Sequence, residues 1–172
     1  HFQQTTATID HVIIGVPDLD RAVQQIEDLT GVRPAFGGAH PGRGTRNALM
    51  SLGNGTYLEF LAPDPAQSID NQDVRELRAL TEPTPIGWAV SADDAASLRD
   101  QLATAGVEIS GPGPGSRTKP DGSTLHWVTF YLQGIKDSVA PFFIVWSDPA
   151  LHPSRTSPGG CSLAGLSIGE PS

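Results

Sequence analysis

From Ile9 to Val16 the chain reads IDHVIIGV, an apolar stretch rich in β-branched residues that Pro17-Asp18 closes, and it predicts a strand. Its period of two sorts Val12, Ile14 and Val16 to one face and His11, Ile13 and Gly15 to the other. Beyond Asp18, a residue suited to capping a helix, the period lengthens: Ala22, Val23, Ile26 and Leu29 recur at helical spacing until Gly31. Such an amphipathic helix must cover one face of a sheet. Three more strands are predicted, at Val32–Phe36, Asn47–Leu52 and Thr56–Leu61, the last two joined by the hairpin signal Gly53-Asn54-Gly55. The order is β-α-β-β-β.

Between Ala62 and Pro85 the pattern changes. Pro63 and Pro65 open the segment, and Val74, Leu77 and Leu80 in NQDVRELRALTE predict a short helix within a linker. The first pattern then returns: IGWAVSADD resembles VIIGVPDLD, with Val16 and Val90, and Asp20 and Asp94, each 74 residues apart, which makes an internal repeat. A helix over Asp93–Ala105 puts Ala95, Leu98 and Leu102 on one stripe, and Gly106-Val107 repeats Gly31-Val32. A short strand at Val107–Ser110, the turn-rich GPGPGSRTKPDGS, a strand at Thr124–Leu132 and another at Ala140–Trp146 complete the second unit. Near the end, CSLAGLSI is strand-like and suited to a sheet edge or to a partner subunit.

The repeat predicts an α+β fold: two βαβββ modules forming a cup-shaped mixed sheet, with helices on the outside. The expected bounds are 9–62 for module one, 63–83 for the linker, 84–147 for module two and 148–172 for the tail, within a single domain. A length of 172 residues suits one domain better than two. Concavities between modules favour small ligands, so chemistry is sought on the faces turned away from the helices. Strand alternation puts His11, Ile13, Asn47, Leu49, Tyr57 and Glu59 there from module one. Module two is expected to add Gly87, Leu125, Trp127, Thr129, Phe143 and Val145, while Trp88 and Trp146 fall on the helix side.

Charge narrows the partners. A formal charge of -8 and a pI near 4.9, with no basic stripe, exclude nucleic acid as an expected partner. The apolar run Val139–Trp146 is far below the roughly 20 residues of a membrane-spanning helix. His1–Thr8 lacks the basic and apolar segments of a secretory signal, so a cytoplasmic location is expected. The single cysteine, Cys161, can form no internal disulfide and no thiolate pair for a metal.

The segments IDHVIIGVPDLDRAV, HPGRGTRNAL, YLEFLAPDP, IGWAVSADD and PFFIVW followed by HPS resemble, taken together, the glyoxalase-like branch of the vicinal oxygen chelate superfamily. The resemblance runs from Ile9 to about His152-Pro153 and implies paired βαβββ modules. It also implies, in many relatives, a divalent metal held in the cup by His, Gln or Glu on the first and last strands of each module. Carried over by position, His11 and Glu59 match in module one, while Pro85 and Val145 stand at the corresponding positions of module two. The implied ligand set, for Zn, Ni, Mn or Fe, is therefore incomplete. A homodimer is also within what the resemblance implies.

Read from the residues alone, a buried pair of His11 and Glu59 is open to three roles: a satisfied ion pair, metal ligands, or acid and base. The expected catalytic residues are Glu59 and His11. The segment His40–Asn47 is read as a glycine-rich loop, from which His40, Arg43, Thr45 and Asn47 are expected to contact an anionic or amphiphilic small molecule. Tyr57 and Trp127 complete the expected substrate contacts, Trp127 by stacking. Arg117 and Lys119 are read as solvated loop charges. Two functions follow: a small-molecule enzyme of lyase or isomerase type, metal-assisted through His11 and Glu59, or a metal-free binding or sequestering protein of the bleomycin-resistance type.

Overall fold

In the computed structural model, which describes residues 8–134 and 140–169, the chain runs through the order β-α-β-β-β twice. The first pass is β1 (Thr8–Gly15), α1 (Leu19–Thr30), β2 (Ala35–His40), β3 (Thr45–Gly53) and β4 (Thr56–Pro63). The linker helix α2 (Gln72–Ala79) leads to β5 (Thr84–Ser91), α3 (Ala95–Thr104), β6 (Ile109–Thr118), β7 (Thr124–Leu132) and β8 (Phe142–Trp146). A single helical turn, α4 (Pro153–Thr156), follows. The eight strands close one mixed barrel in the order β1-β4-β3-β2-β6-β7-β8-β5, the α+β architecture the repeat predicts. The N-terminal stretch read for a leader signal lies outside the described residues, apart from Thr8. No helix among the described residues is long and apolar enough to cross a membrane.

Local chemistry explains the helix ends. The Asp18 carboxylate accepts from the Arg21 N–H, and Gly31 ends α1 in the left-handed conformation at φ 76°. Asp94 likewise accepts from the N–H groups of Ala96 and Ser97 to start α3. The apolar stripe of α1 meets β1, β3 and β4 in a core of Val16, Leu19, Ala22, Val23, Ala48, Phe60 and Ala62. Leu29, counted in that stripe by spacing, is 80% exposed.

The cap residues also correct the register of the repeat. Asp94 lies 76 residues after Asp18, and β5 begins at Thr84, 76 after Thr8. Pairing across the two halves obeys the same shift, because Ile13 lies opposite Gly87 while His11 lies opposite Ala89. The position equivalent to His11 is thus Gly87, not Pro85. In the parallel pairs, Ile13 lies beside Glu59 and Ala89 beside Phe142, so the equivalent of Glu59 is Phe142, not Val145. On β5 the slip is of two residues and leaves every side chain on its own face, so the apolar pattern could not reveal it, whereas on β8 it is of three and changes the face.

Two strands differ more. In β8, Ile144 pairs with Thr129 and Trp146 with Trp127, so these side chains face the interior, while Phe143 and Val145 pair with Phe130 and Val128 on the helix side. The expected facing of Phe143, Val145 and Trp146 is therefore reversed. Five apolar residues in a row offer no alternation to read. The stretch GPGPGSRT, read as turns, is the body of β6. Its prolines are tolerated because β6 meets β2 at one residue pair, Ala39 and Thr118, and is otherwise an edge. The run Cys161–Ile168 forms no strand.

Candidate functional site

Inside the barrel lies a cavity of about 650 Å³. Every residue expected to act on or contact a substrate borders it: His11 from β1, His40 from β2, Thr45 and Asn47 from β3, Tyr57 and Glu59 from β4, Trp127 from β7 and Arg43 from the β2–β3 turn, whereas Leu125, Phe143 and Val145, also expected in the cup, do not. The segment His40–Asn47 is a hairpin tip rather than a loop, with His40 paired to Thr45 across it. Trp88 borders the cavity as well, beside Gly87. Trp146, expected in packing, lies within the cavity wall with its ring centroid 5.2 Å from that of Trp127.

Glu59 is the centre of the polar wall and is 8% exposed. The Asn47 side-chain amide donates to its Oε2 at 2.6 Å and reaches His40 Nε2 at 3.4 Å. With Nε2 accepting, His40 donates from Nδ1 to Thr45 Oγ1 at 2.9 Å. Burial holds the His40 imidazole below its ordinary pKa, against the opposing pull of Glu59, and keeps it neutral. His11 Nε2 lies 3.8 Å from Glu59 Oε1 and His40 Nε2 lies 3.9 Å from Oε2. One carboxylate is thus flanked by two imidazoles, one toward each oxygen.

Behind His11 stands Asp10, which sequence reading passed over. A register shift between Ile9 and His11 sets Asp10 apart from the β5 ladder, and its side chain is fully buried. Its carboxylate accepts from His11 Nδ1 at 2.7 Å, His152 Nε2 at 2.8 Å and Trp146 Nε1 at 3.1 Å. Burial alone would raise its pKa, but the hydrogen bonds from His11 and His152 outweigh it and hold the group below the ordinary carboxylate range. His152 is held in turn, because its Nδ1 accepts from the Ser154 N–H. The consequence is a fixed His11 tautomer, with Nδ1–H on Asp10 and the Nε2 lone pair turned to Glu59. His152 comes from 142 residues downstream, and no local pattern marks it.

Arg117 is the larger miss. Read as a solvated loop charge, it lies on β6, is 4% exposed and borders the cavity. A Cβ on Gly37 would land on its guanidinium and on the Asn47 amide oxygen, so only glycine leaves room there. The available signal was the strict alternation Gly111, Gly113, Gly115, Arg117, a strand face of minimal side chains ending in one long cation. Lys119, by contrast, lies beyond β6 within 4.0 Å of Asp121, at its turn.

The described donors do not assemble a site for a divalent metal. Among the described residues no group of three His, Cys, Asp or Glu side chains can hold one. The two imidazoles approach different oxygens of Glu59, Asn47 occupies one of them, and the other half of the barrel offers Gly87 and Phe142. His11 and Glu59 alone would leave most of a coordination sphere to solvent. These residues do not fit a metal ion.

Comparison with known proteins agrees with this architecture. No curated protein matches the chain. A hypothetical protein from Staphylococcus aureus superposes with a TM-score of 0.67 at 21% identity, covering 88% of this chain and 63% of the other. Methylmalonyl-CoA epimerase from Mycobacterium tuberculosis superposes at 0.53 and 22% identity, covering 85% and 90%. The Streptomyces coelicolor epimerase, in complex with 2-nitronate-propionyl-CoA, superposes at 0.58 and 20% identity, covering 84% and 100%. At such identities the likeness is one of fold. The family model described as "Glyoxalase-like domain" matches residues 9–172, and with that match this chain belongs to the glyoxalase-like family.

Proposed function

We propose that the cup is the active site of a lyase or isomerase that moves a proton at a carbon next to a carbonyl, with Glu59 as the base. The observation that carries this reading is the buried Glu59 carboxylate, fixed by Asn47 and facing the His11 Nε2 lone pair across 3.8 Å. Glu59 takes the proton from carbon, and the electron pair of that C–H bond moves onto the neighbouring carbonyl oxygen. His11 can accept the proton from Glu59, with Asp10 compensating the imidazolium charge, and the proton returns to carbon in the reverse sense. Trp127, Tyr57 and His40 shape the walls around the substrate, and Arg43 stands at the mouth.

The test is isotope exchange in D2O, followed by mass spectrometry, using methylmalonyl-CoA and small 2-oxo acids as probes. Wild-type protein is expected to put deuterium on carbon. Glu59→Gln is expected to lower the rate by about 10²–10⁴-fold without changing the unfolding midpoint by more than a few degrees. An unchanged rate in Glu59→Gln sinks the assignment of the base. The second reading, a binding or sequestering protein, draws on the Trp127–Trp146 pair in the wall. It predicts ligand-dependent stabilisation with no exchange on any probe and no response to chelator.

A further inference from the structure

The cavity holds one cation for which the described residues supply neither a hydrogen bond nor an ion pair. Arg117 makes no hydrogen bond and no ion pair among the described residues, although it is 96% buried by its 4% exposure. A buried guanidinium whose N–H groups find no acceptor carries an unmet desolvation cost, even with a carboxylate such as Glu59 within electrostatic reach, and a ligand that accepts those bonds would offset it. Neither Asn47 nor Glu59 completes it here. Asn47 Oδ1, which shares the space over Gly37 with the guanidinium, is itself without a hydrogen-bond partner. Glu59 feels the charge but is engaged by Asn47.

We propose that Arg117 is the anchor for a carboxylate on the substrate, so that the cup takes a small acid with an apolar remainder. This rests on the reading above only in taking Glu59 as the group that then meets the anchored molecule. A planar guanidinium matches a carboxylate by two parallel N–H···O bonds. A single monoanion also suits the local charge: besides Arg117 the cavity is bordered by Arg43 but by three carboxylates, Glu59 and, on its α2 wall, Asp73 and Glu76. A dianionic phosphate would leave uncompensated negative charge beside them. The remaining wall, with Ile13, Leu80, Ile86, Phe142 and Ile144, offers apolar surface to the rest of the molecule.

The anchor is tested with hexanoate, hexanamide and inorganic phosphate on the full chain, by thermal shift and by fluorescence of the cavity tryptophans. Hexanoate is expected to bind at least about tenfold more tightly than its neutral isostere hexanamide, and phosphate to bind no better than hexanamide. Arg117→Gln should erase the preference for hexanoate, and Arg117→Lys should keep part of it. Without ligand, Arg117→Met should unfold no earlier than the wild type, because it breaks no hydrogen bond or ion pair among the described residues and relieves a buried guanidinium of its desolvation cost. Equal binding of acid and amide, or a preference that survives Arg117→Gln, overturns the anchor. So does an Arg117→Met protein that is strongly destabilised or unfolded, since the guanidinium would then be structural, and a phosphate affinity matching that of hexanoate overturns the carboxylate assignment. Glu59→Gln should still bind hexanoate. Intact binding with no isotope exchange in the wild type would leave the anchor standing and remove the proton-transfer reading.

Discussion

Asp10 gathers three donors with one buried carboxylate, and its environment decides what His11 can do. Asp10→Asn cannot accept all three bonds as an anion and would itself bring N–H donors toward His11 and His152. It is expected to destabilise the protein by about 3 kcal/mol, read from denaturant unfolding, and to slow isotope exchange along with it. His40 gives a pH signature of its own. Burial holds its imidazole below the ordinary value of 6.5, so between that value and the lower folded one the unfolded chain binds a proton that the folded chain does not. Stability is therefore expected to fall as the pH drops through 6.5, with Glu59 and Asp64 moderating the effect and Arg117 and Arg43 reinforcing it. Unfolding midpoints at pH 8, 7, 6 and 5.5 should show this slope, and His40→Gln should flatten it.

Among the elements, α4 has a role out of proportion to its four residues. His152 stands at its N-terminus and hands Asp10 one of its three donors, and Ser51 on β3 donates from its hydroxyl to the Ser154 carbonyl at 2.7 Å. His152→Ala is expected to cost about 1–3 kcal/mol of stability, measured by denaturant unfolding, and to loosen His11. The elements also divide by how readily sequence gives them away. β1, α1 and β4 carry clean periods of two or 3.6, so His11, Tyr57 and Glu59 could be aimed correctly from the chain alone. β8 is FFIVW, apolar throughout, and its two faces differ only in what packs on them, so Trp146 was aimed the wrong way. β6 hides behind glycine and proline, residues that signal turns until an edge position frees them from the ladder, and with it went Arg117.

At the scale of the molecule, the two runs of β-α-β-β-β make one barrel whose halves are chemically unlike. The first carries the imidazoles and the carboxylate, while the other presents aromatic and aliphatic wall and contributes Arg117. The repeat made the architecture legible because it was repeated, whereas the joining of its halves was not, since contacts such as Asp10 to His152 depend on closure of the whole ring. That ring is fastened unevenly. Seven residue pairs from Thr8 to Gly15 bind β1 to β5, but β2 and β6 share only Ala39 and Thr118, where a Cβ on Gly38 would strike the Thr118 carbonyl. A barrel with one such rung behaves as a clamp with a hinge on one side and a latch on the other. Thermal opening should therefore begin at the latch and expose Arg117 and His40 first. Native-state hydrogen exchange is expected to be faster along β6 than along β5, and to slow selectively in β6 when an acid occupies the cavity. Equal protection of the two strands would contradict this. Passage of small molecules would then be timed by the breaking of a single backbone pairing, and Gly38, where any side chain would strike the Thr118 carbonyl and crowd Arg117, couples that rate to the residue that meets the ligand.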